Sequence, residues 1–215
     1  MTKIKKSKIH RYLTYIITVL IISSILVGTI IFLNVGNIFG SEGEQVVYSN
    51  EYYILRGKPT DLQKSLFKDL TKQIELKNEK DLDTVELVVK SFIADYFTWS
   101  NKMGPYDVGG MTFTFGLENS NFYFTTRRSY YQNMANFIEQ GLETKDLVEV
   151  ESIEMGDASF AAPYNYYGKD YEAFYVEASW TYKENDKVDT SKFPNSGSFT
   201  VVLTEDNRFE IVRFY

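Results

Sequence analysis

The sequence contains no cysteine and only one histidine among its 215 residues. Without cysteine there can be no disulfide, no thiolate metal ligand, no cysteine nucleophile and no lipid-modified cysteine of a bacterial lipoprotein. The single histidine, His10, stands near the start of the chain among basic residues. The rest of the chain therefore excludes a Ser-His-Asp triad and a histidine-based zinc site, and we expect no cofactor.

Acidic residues outnumber basic ones outside the first part of the chain. The formal net charge is −6, from 23 Lys and Arg against 29 Asp and Glu. Residues 1–33 contain five basic side chains and no acidic one, so all of the acidic side chains belong to residues 34–215. This strongly negative part argues against a nucleic-acid partner, because a polyanion would be repelled.

The longest uncharged run extends from Tyr12 to Leu33. As a helix it would be about 33 Å long, which is enough to cross a hydrocarbon core of about 30 Å. The basic residues all precede it, which predicts a cytoplasmic tail over 1–11 and an extracellular C-terminal part. No small-x-small cleavage site follows the run, so residues 12–33 are predicted to be an uncleaved membrane anchor rather than a signal peptide. The lysine-rich start and the missing cysteines suggest a Gram-positive bacterium.

The part beyond the anchor is predicted to be a linker over 34–58 followed by one domain over 59–215. The linker is rich in glycine, although Tyr52–Leu55 could add a short edge strand. A helix begins after Thr60, because Gln63 stands three residues later and can complete a capping box.

The periodicity of the sequence changes several times beyond this first helix. A second helix is predicted over 83–99, followed by an irregular glycine-rich segment over 101–110. Alternating apolar residues then predict a hairpin that pairs 111–115 with 122–124, and a third helix follows over 126–142. Five more strands are predicted over 147–155, 159–167, 171–184, 198–204 and 209–215. The fold class is therefore α+β, with three helices packed on a curved antiparallel sheet.

This order of elements resembles the cystatin-like fold of the nuclear-transport-factor-two superfamily, a cone-shaped domain that also occurs in ketosteroid isomerase. The likeness covers about residues 60–215 and is one of architecture. Together with the anchor, it resembles bitopic assembly proteins of type IV secretion and conjugation machines. The segment Asp107-Val108-Gly109-Gly110 is also similar to segments in membrane-anchored Gram-positive proteins. The resemblance implies a domain that assembles with other envelope proteins.

Two groups of residues are candidates for a pocket or a contact surface. Ketosteroid isomerase uses an acidic base and a tyrosine oxyanion donor in its cone, which by resemblance points to Asp95, Tyr96 and Asp107, with Trp99 nearby. A structural alternative places Asp95 on a solvated helix face, Tyr96 in the core with its hydroxyl at the rim, and Asp107 in a turn.

The second group is rich in tyrosine, which suits recognition of proteins or glycans. Its members are Tyr164, Tyr166, Tyr167, Tyr171, Tyr175 and Trp180. Alternatively, some of them face the core of a bent sheet and the others cover its outside, where a second copy of the domain could shield them.

Three functions are compatible with this pattern. The leading hypothesis is a non-enzymatic, membrane-anchored extracytoplasmic domain that binds an envelope protein or a second copy of itself. The second is a sensor that binds a small molecule or a glycan in the mouth of the cone, which requires an open apolar pocket with a few polar groups. The third is an isomerase or dehydratase, which requires a buried carboxylate opposite a tyrosine hydroxyl in that pocket.

Overall fold

A computed structural model describes residues 48–55, 57–76 and 82–215. The predicted cytoplasmic tail, the membrane anchor over 12–33 and most of the linker lie outside these residues. Within the described part, no helix is both long and apolar enough to cross a membrane. Ahead of the first helix, the short strands β1 (Tyr48–Ser49) and β2 (Ile54–Leu55) pair with each other.

The first helix, α1, spans Asp61–Glu75 and begins with the predicted capping box. The Thr60 side chain accepts a hydrogen bond from the backbone N–H of Gln63 at 3.3 Å. The Gln63 side chain accepts one from the Thr60 N–H at 2.8 Å. These reciprocal bonds satisfy two N–H groups that a helix start leaves without partners.

The second helix, α2, spans Leu82–Tyr96 and is the most deeply buried helix of the described part. Its predicted inward face is confirmed, because each of these side chains is at most 3% exposed: Val85, Val88, Val89, Phe92, Ile93 and Tyr96. The helix ends before the predicted boundary near Trp99. Trp99 lies outside the helix, and its backbone N–H donates to the Val148 carbonyl at 2.8 Å.

The predicted hairpin of 111–115 with 122–124 is wrong. Residues Met111–Phe113 form one turn of 3-10 helix. The alternation of apolar residues has another cause, because the chain crosses an edge of the sheet here. Phe113 is buried in the main core, whereas Phe115 belongs to a smaller cluster on the opposite face of the sheet. At the crossing, the Phe115 N–H donates to the Ile211 carbonyl at 3.0 Å.

The predicted third helix is divided in two. Helix α3 spans Asn119–Arg128, so it includes the residues predicted as the second hairpin strand, and helix α4 spans Tyr130–Glu139. Ser129 separates them, with a backbone φ of −118° and ψ of −97°. Its hydroxyl donates to the Thr125 carbonyl at 2.8 Å, and such local bonds compete with regular helical geometry.

The last third of the chain forms a five-stranded antiparallel sheet, which confirms the α+β class. Its strands are β3 (Val150–Met155), β4 (Ser159–Tyr166), β5 (Lys169–Tyr182), β6 (Ser196–Leu203) and β7 (Phe209–Phe214). Strand β5 is the longest, and both β3 and β4 pair with it. Strand β6 lies between β5 and β7 and pairs with both.

The two faces of the sheet are covered differently. On the face toward the helices, alternate residues of β5 such as Val176 and Trp180 join the main core. On the other face, Tyr171 and Ala173 of β5 form a small separate cluster with Phe115. The helices therefore pack on one face, while the segment that crosses the sheet edge covers part of the other with Phe115.

Candidate functional site

A cavity of about 500 Å³ lies between α3 and the strands β6 and β7. This volume is in the range of small-molecule sites in proteins. Aromatic side chains are prominent in its wall, and they come from the end of α2 and the residue after it, from α3 and α4, and from the sheet. The aromatic residues that line it are Tyr96, Phe97, Phe115, Phe122, Tyr130, Trp180, Phe199, Phe214 and Tyr215.

The rings of the wall pack directly on one another. Tyr96 lies near the centre, with its ring centroid 5.8 Å from Phe122 and 5.3 Å from Phe214, at interplanar angles of 45° and 70°. Tyr96 also stacks on Tyr130 at 5.4 Å and 15°. Such contacts hold the rings in fixed orientations, so the shape of the cavity is largely formed in advance.

Two tyrosine hydroxyls are the main hydrogen-bond donors among these rings. The Tyr96 hydroxyl lies 3.4 Å from the Thr126 side-chain oxygen. The Tyr130 hydroxyl is buried beside that of Tyr182, and within the described part of the chain it has no hydrogen bond of good geometry. Burial raises the pKa of Tyr96 to about 12 and raises the pKa of Tyr130 well above its ordinary value. Both hydroxyls therefore keep their protons at physiological pH.

The wall contains one charged side chain among the residues that the structure describes. This is Glu118, which ends a 3-10 turn at the start of α3. Lysine, arginine and histidine do not occur among the lining residues of the described part. The remaining polar groups of the wall are small and neutral, and they include Thr125 and Ser196.

Asp95 does not line this cavity, although Tyr96 beside it does. It lines a separate polar cleft of about 460 Å³ together with Lys102 and Asp107. The Asp95 carboxylate pairs with the Lys102 ammonium at 2.6 Å, and the two side chains are 18% and 5% exposed. The predicted position on a solvated helix face is therefore wrong, because the chain after α2 folds back over this side chain.

The glycine pair after Asp107 is explained by the same fold-back. The Gly110 N–H donates to the Asp95 carboxylate at 2.6 Å, and the Gly109 N–H donates to the Tyr131 hydroxyl at 2.9 Å. A Cβ atom on Gly109 would lie 2.2 Å from the Asp95 carbonyl oxygen, which no side chain could tolerate. Because these glycines have no side chain, the backbone at Gly109 and Gly110 can pack directly against the backbone at the end of α2.

Asp107 has the predicted role in a turn. Its carboxylate accepts a hydrogen bond from the Met103 N–H at 2.9 Å, and its own N–H donates to the Gly104 carbonyl at 2.9 Å. Trp99 is fully buried in the main core and lines neither space. The structure thus separates the residues of the first candidate group, with Tyr96 in the cavity and both aspartates in the cleft.

The tyrosine-rich group is also divided. Tyr166 and Tyr171 pack edge-to-face on Phe115, with ring centroids 5.2 Å and 5.4 Å away, on the face of the sheet opposite the helices. Tyr164 belongs to the same cluster. Tyr167 is 93% exposed.

The last two members of this group lie on opposite sides of β5. The Tyr175 hydroxyl donates to the Glu177 carboxylate at 2.7 Å near the surface. Trp180 lines the cavity, where its indole N–H donates to the Tyr182 hydroxyl at 3.0 Å. Its ring centroid lies 4.4 Å from that of Phe97.

Several wall residues were not identified from the sequence, above all Phe122, Tyr130 and Glu118. Phe122 was missed because residues 122–124 were assigned to a strand, and a strand would point its side chain in another direction than a helix does. Among the described residues, no group of three His, Cys, Asp or Glu side chains is placed to hold a metal ion. No protein-family model, curated protein or solved structure matches this chain.

Proposed function

We propose that this chain binds an apolar small molecule in the aromatic cavity between α3 and the sheet. The observation that carries the proposal is the cavity itself, at about 500 Å³ and with nine aromatic residues in its wall. Protein interiors are close-packed and contain few voids larger than a water molecule. An aromatic wall of this size, left open beside a tightly packed core, is the arrangement expected of a ligand site.

The polar groups support the same proposal. The hydroxyls of Tyr96 and Tyr130 are protonated, so they can donate hydrogen bonds to a ligand in an otherwise apolar space. The likeness to the cone of the nuclear-transport-factor-two superfamily also favours it, because the mouth of such a cone lies between helices and sheet. Of the three predicted functions, the small-molecule sensor has the most direct support.

The proposal is tested with Nile red, a neutral dye that fluoresces in apolar surroundings, added to the full chain in lipid nanodiscs. The signal of empty nanodiscs is subtracted. Thr125 lines the cavity, so Thr125→Trp is expected to fill it and to remove the dye signal. Arg128→Trp on the same helix does not touch the cavity and is expected to retain the signal. Equal dye binding by both variants would contradict the proposal.

We further propose that residues 12–33 anchor the chain in the cell membrane, with the binding domain outside. The uncharged length of this run and the basic residues before it support the orientation. Protease added to intact cells, after removal of the wall, is expected to degrade the domain. A domain that is cleaved only after the membrane is permeabilised would reverse the orientation.

Binding of a protein partner in an envelope or conjugation assembly is the second candidate function. The observation in its favour is a set of exposed aromatic side chains on β4, β5 and the turn between them. Phe160 is 60% exposed, Tyr167 93% and Tyr175 39%. Rigid aromatic rings of this kind are common in interfaces.

This second candidate is tested by the oligomeric state of the full chain and by crosslinking in cells. Tyr167→Ser is expected to reduce self-association or crosslinking, whereas Phe124→Ser, which removes another exposed aromatic ring from α3, is not. A monomer that forms no crosslinks would eliminate it. An isomerase or dehydratase has the least support, because Asp95 and Asp107 lie in the polar cleft, away from the cavity.

A further inference from the structure

The charge of the cavity wall bears on which ligands it can take. Among the described residues that line it, the one charged side chain is the carboxylate of Glu118, and none is a lysine, arginine or histidine. We propose that the ligand is an organic cation with an apolar body, such as a quaternary ammonium group attached to a hydrocarbon or ring. This inference rests on the proposed function, because it specifies the chemistry of the ligand that the same cavity takes.

The aromatic wall is the first support. The faces of aromatic rings carry negative potential, and they attract an ammonium group that lies within about 6 Å of the ring centre. Phe122 contacts Phe92, Tyr96 and Phe214 at interplanar angles of 58°, 45° and 65°, so it stacks face to face on none of these rings. Tyr96, by contrast, stacks on both Phe92 and Tyr130 at 15°. Phe122 lines the cavity, so its ring face is the one that an ammonium group can approach.

The second support is the state of the carboxylate. Glu118 stands at the N-terminus of α3, where the helix dipole favours a negative charge. It forms no ion pair with any residue that the structure describes, so its charge is free to balance that of a ligand. The chain beyond the predicted anchor also carries an excess of acidic side chains, which attracts cations toward the site.

One arginine lies close to this region but does not change the balance. Arg213 is on β7 and lines a shallower adjoining space of about 240 Å³. Its guanidinium lies 5.3 Å from the centre of the Tyr164 ring, in the cluster on the opposite face of the sheet. An anionic ligand in the main cavity would therefore be desolvated without a basic partner, which is costly.

The test compares three probes that share a benzyl group and differ in charge. They are benzyltrimethylammonium, its neutral carbon isostere neopentylbenzene, and the anion phenylacetate. Each is used to displace Nile red from the full chain in nanodiscs of zwitterionic lipid, with free concentrations corrected for partitioning into lipid. The ammonium probe is expected to bind about tenfold more tightly than the isostere.

The variant Glu118→Gln is expected to remove most of this advantage, because it weakens binding of the ammonium probe more than binding of the isostere. The matched control is Glu154→Gln, an exposed acid on β3 that does not line the cavity, and it should retain the full advantage. Equal affinity for the ammonium probe and the isostere, or preference for the anion, would overturn the charge assignment while the proposed function stands. If Nile red itself does not bind to the cavity, the proposed function fails first.

Discussion

Replacing Asp95 by asparagine tests how much the loop after α2, which contains Lys102 and Gly110, contributes to stability through its contacts with Asp95. The carboxylate accepts hydrogen bonds from the Lys102 ammonium and the Gly110 N–H, each at 2.6 Å. Asparagine has nearly the same shape, but it carries no charge and presents an NH₂ group where an oxygen stood. The Lys102 side chain, only 5% exposed, would then be left without a counter-ion.

The expected loss in the free energy of unfolding follows from this burial. Removing one partner of a buried ion pair costs about 3–5 kcal/mol. The lower end of the range applies here, because Asp95 retains 18% exposure and the Asn101 side-chain oxygen still accepts from Lys102 at 3.1 Å. A loss of about 3 kcal/mol is a large share of the 5–15 kcal/mol that stabilises a typical domain.

Urea unfolding of the full chain in nanodiscs, followed by the fluorescence of the buried Trp99 and Trp180, measures this loss. The double-mutant cycle adds Lys102→Met and the double variant. Because the double variant leaves no unpaired charge, its cost should be at least about 1 kcal/mol less than the sum of the two single costs. The control is Lys64→Met, which breaks an exposed pair with Asp61 and should change stability by less than about 0.5 kcal/mol. Additive costs, or a loss below about 1 kcal/mol for Asp95→Asn, would refute the reasoning.

Three further predictions concern the backbone and the buried acid on β7. Gly110→Ala should cost about 2–4 kcal/mol, because φ is +77° and the new Cβ would lie 2.7 Å from the Phe92 ring; Gly57→Ala, with φ at +79° and open space, should cost only about 1 kcal/mol. Burial raises the pKa of Glu210 in the folded protein. The free energy of unfolding should therefore fall as the pH rises from about 4 through that raised pKa, because the carboxyl group loses its proton in a buried position. Unfolding measured over this pH range should show the fall for the wild type and not for Glu210→Gln. Thr60→Ala should cost about 1 kcal/mol in urea unfolding, and no loss would contradict the capping box.

The sequence alone determined the elements whose signals are local. The capping box at Thr60 and the apolar face of α2 depend on residues three or four positions apart, and both were predicted correctly. The strands of the sheet were also found within about three residues of their ends, because alternation and turn residues are local signals too. These features set the α+β class.

How residues distant in sequence meet depends on the packing of the whole domain. The alternation of Met111, Phe113 and Phe115 indicated a strand, but it reflects two aromatic rings that enter cores on opposite faces of a sheet. Asp95 has a helical neighbourhood that suggests exposure, yet a lysine seven residues later covers it. The cavity joins residues from Tyr96 to Tyr215, and no short pattern encodes that meeting. Periodicity reports which side of one element is buried, whereas a cavity depends on what the packed elements leave unfilled.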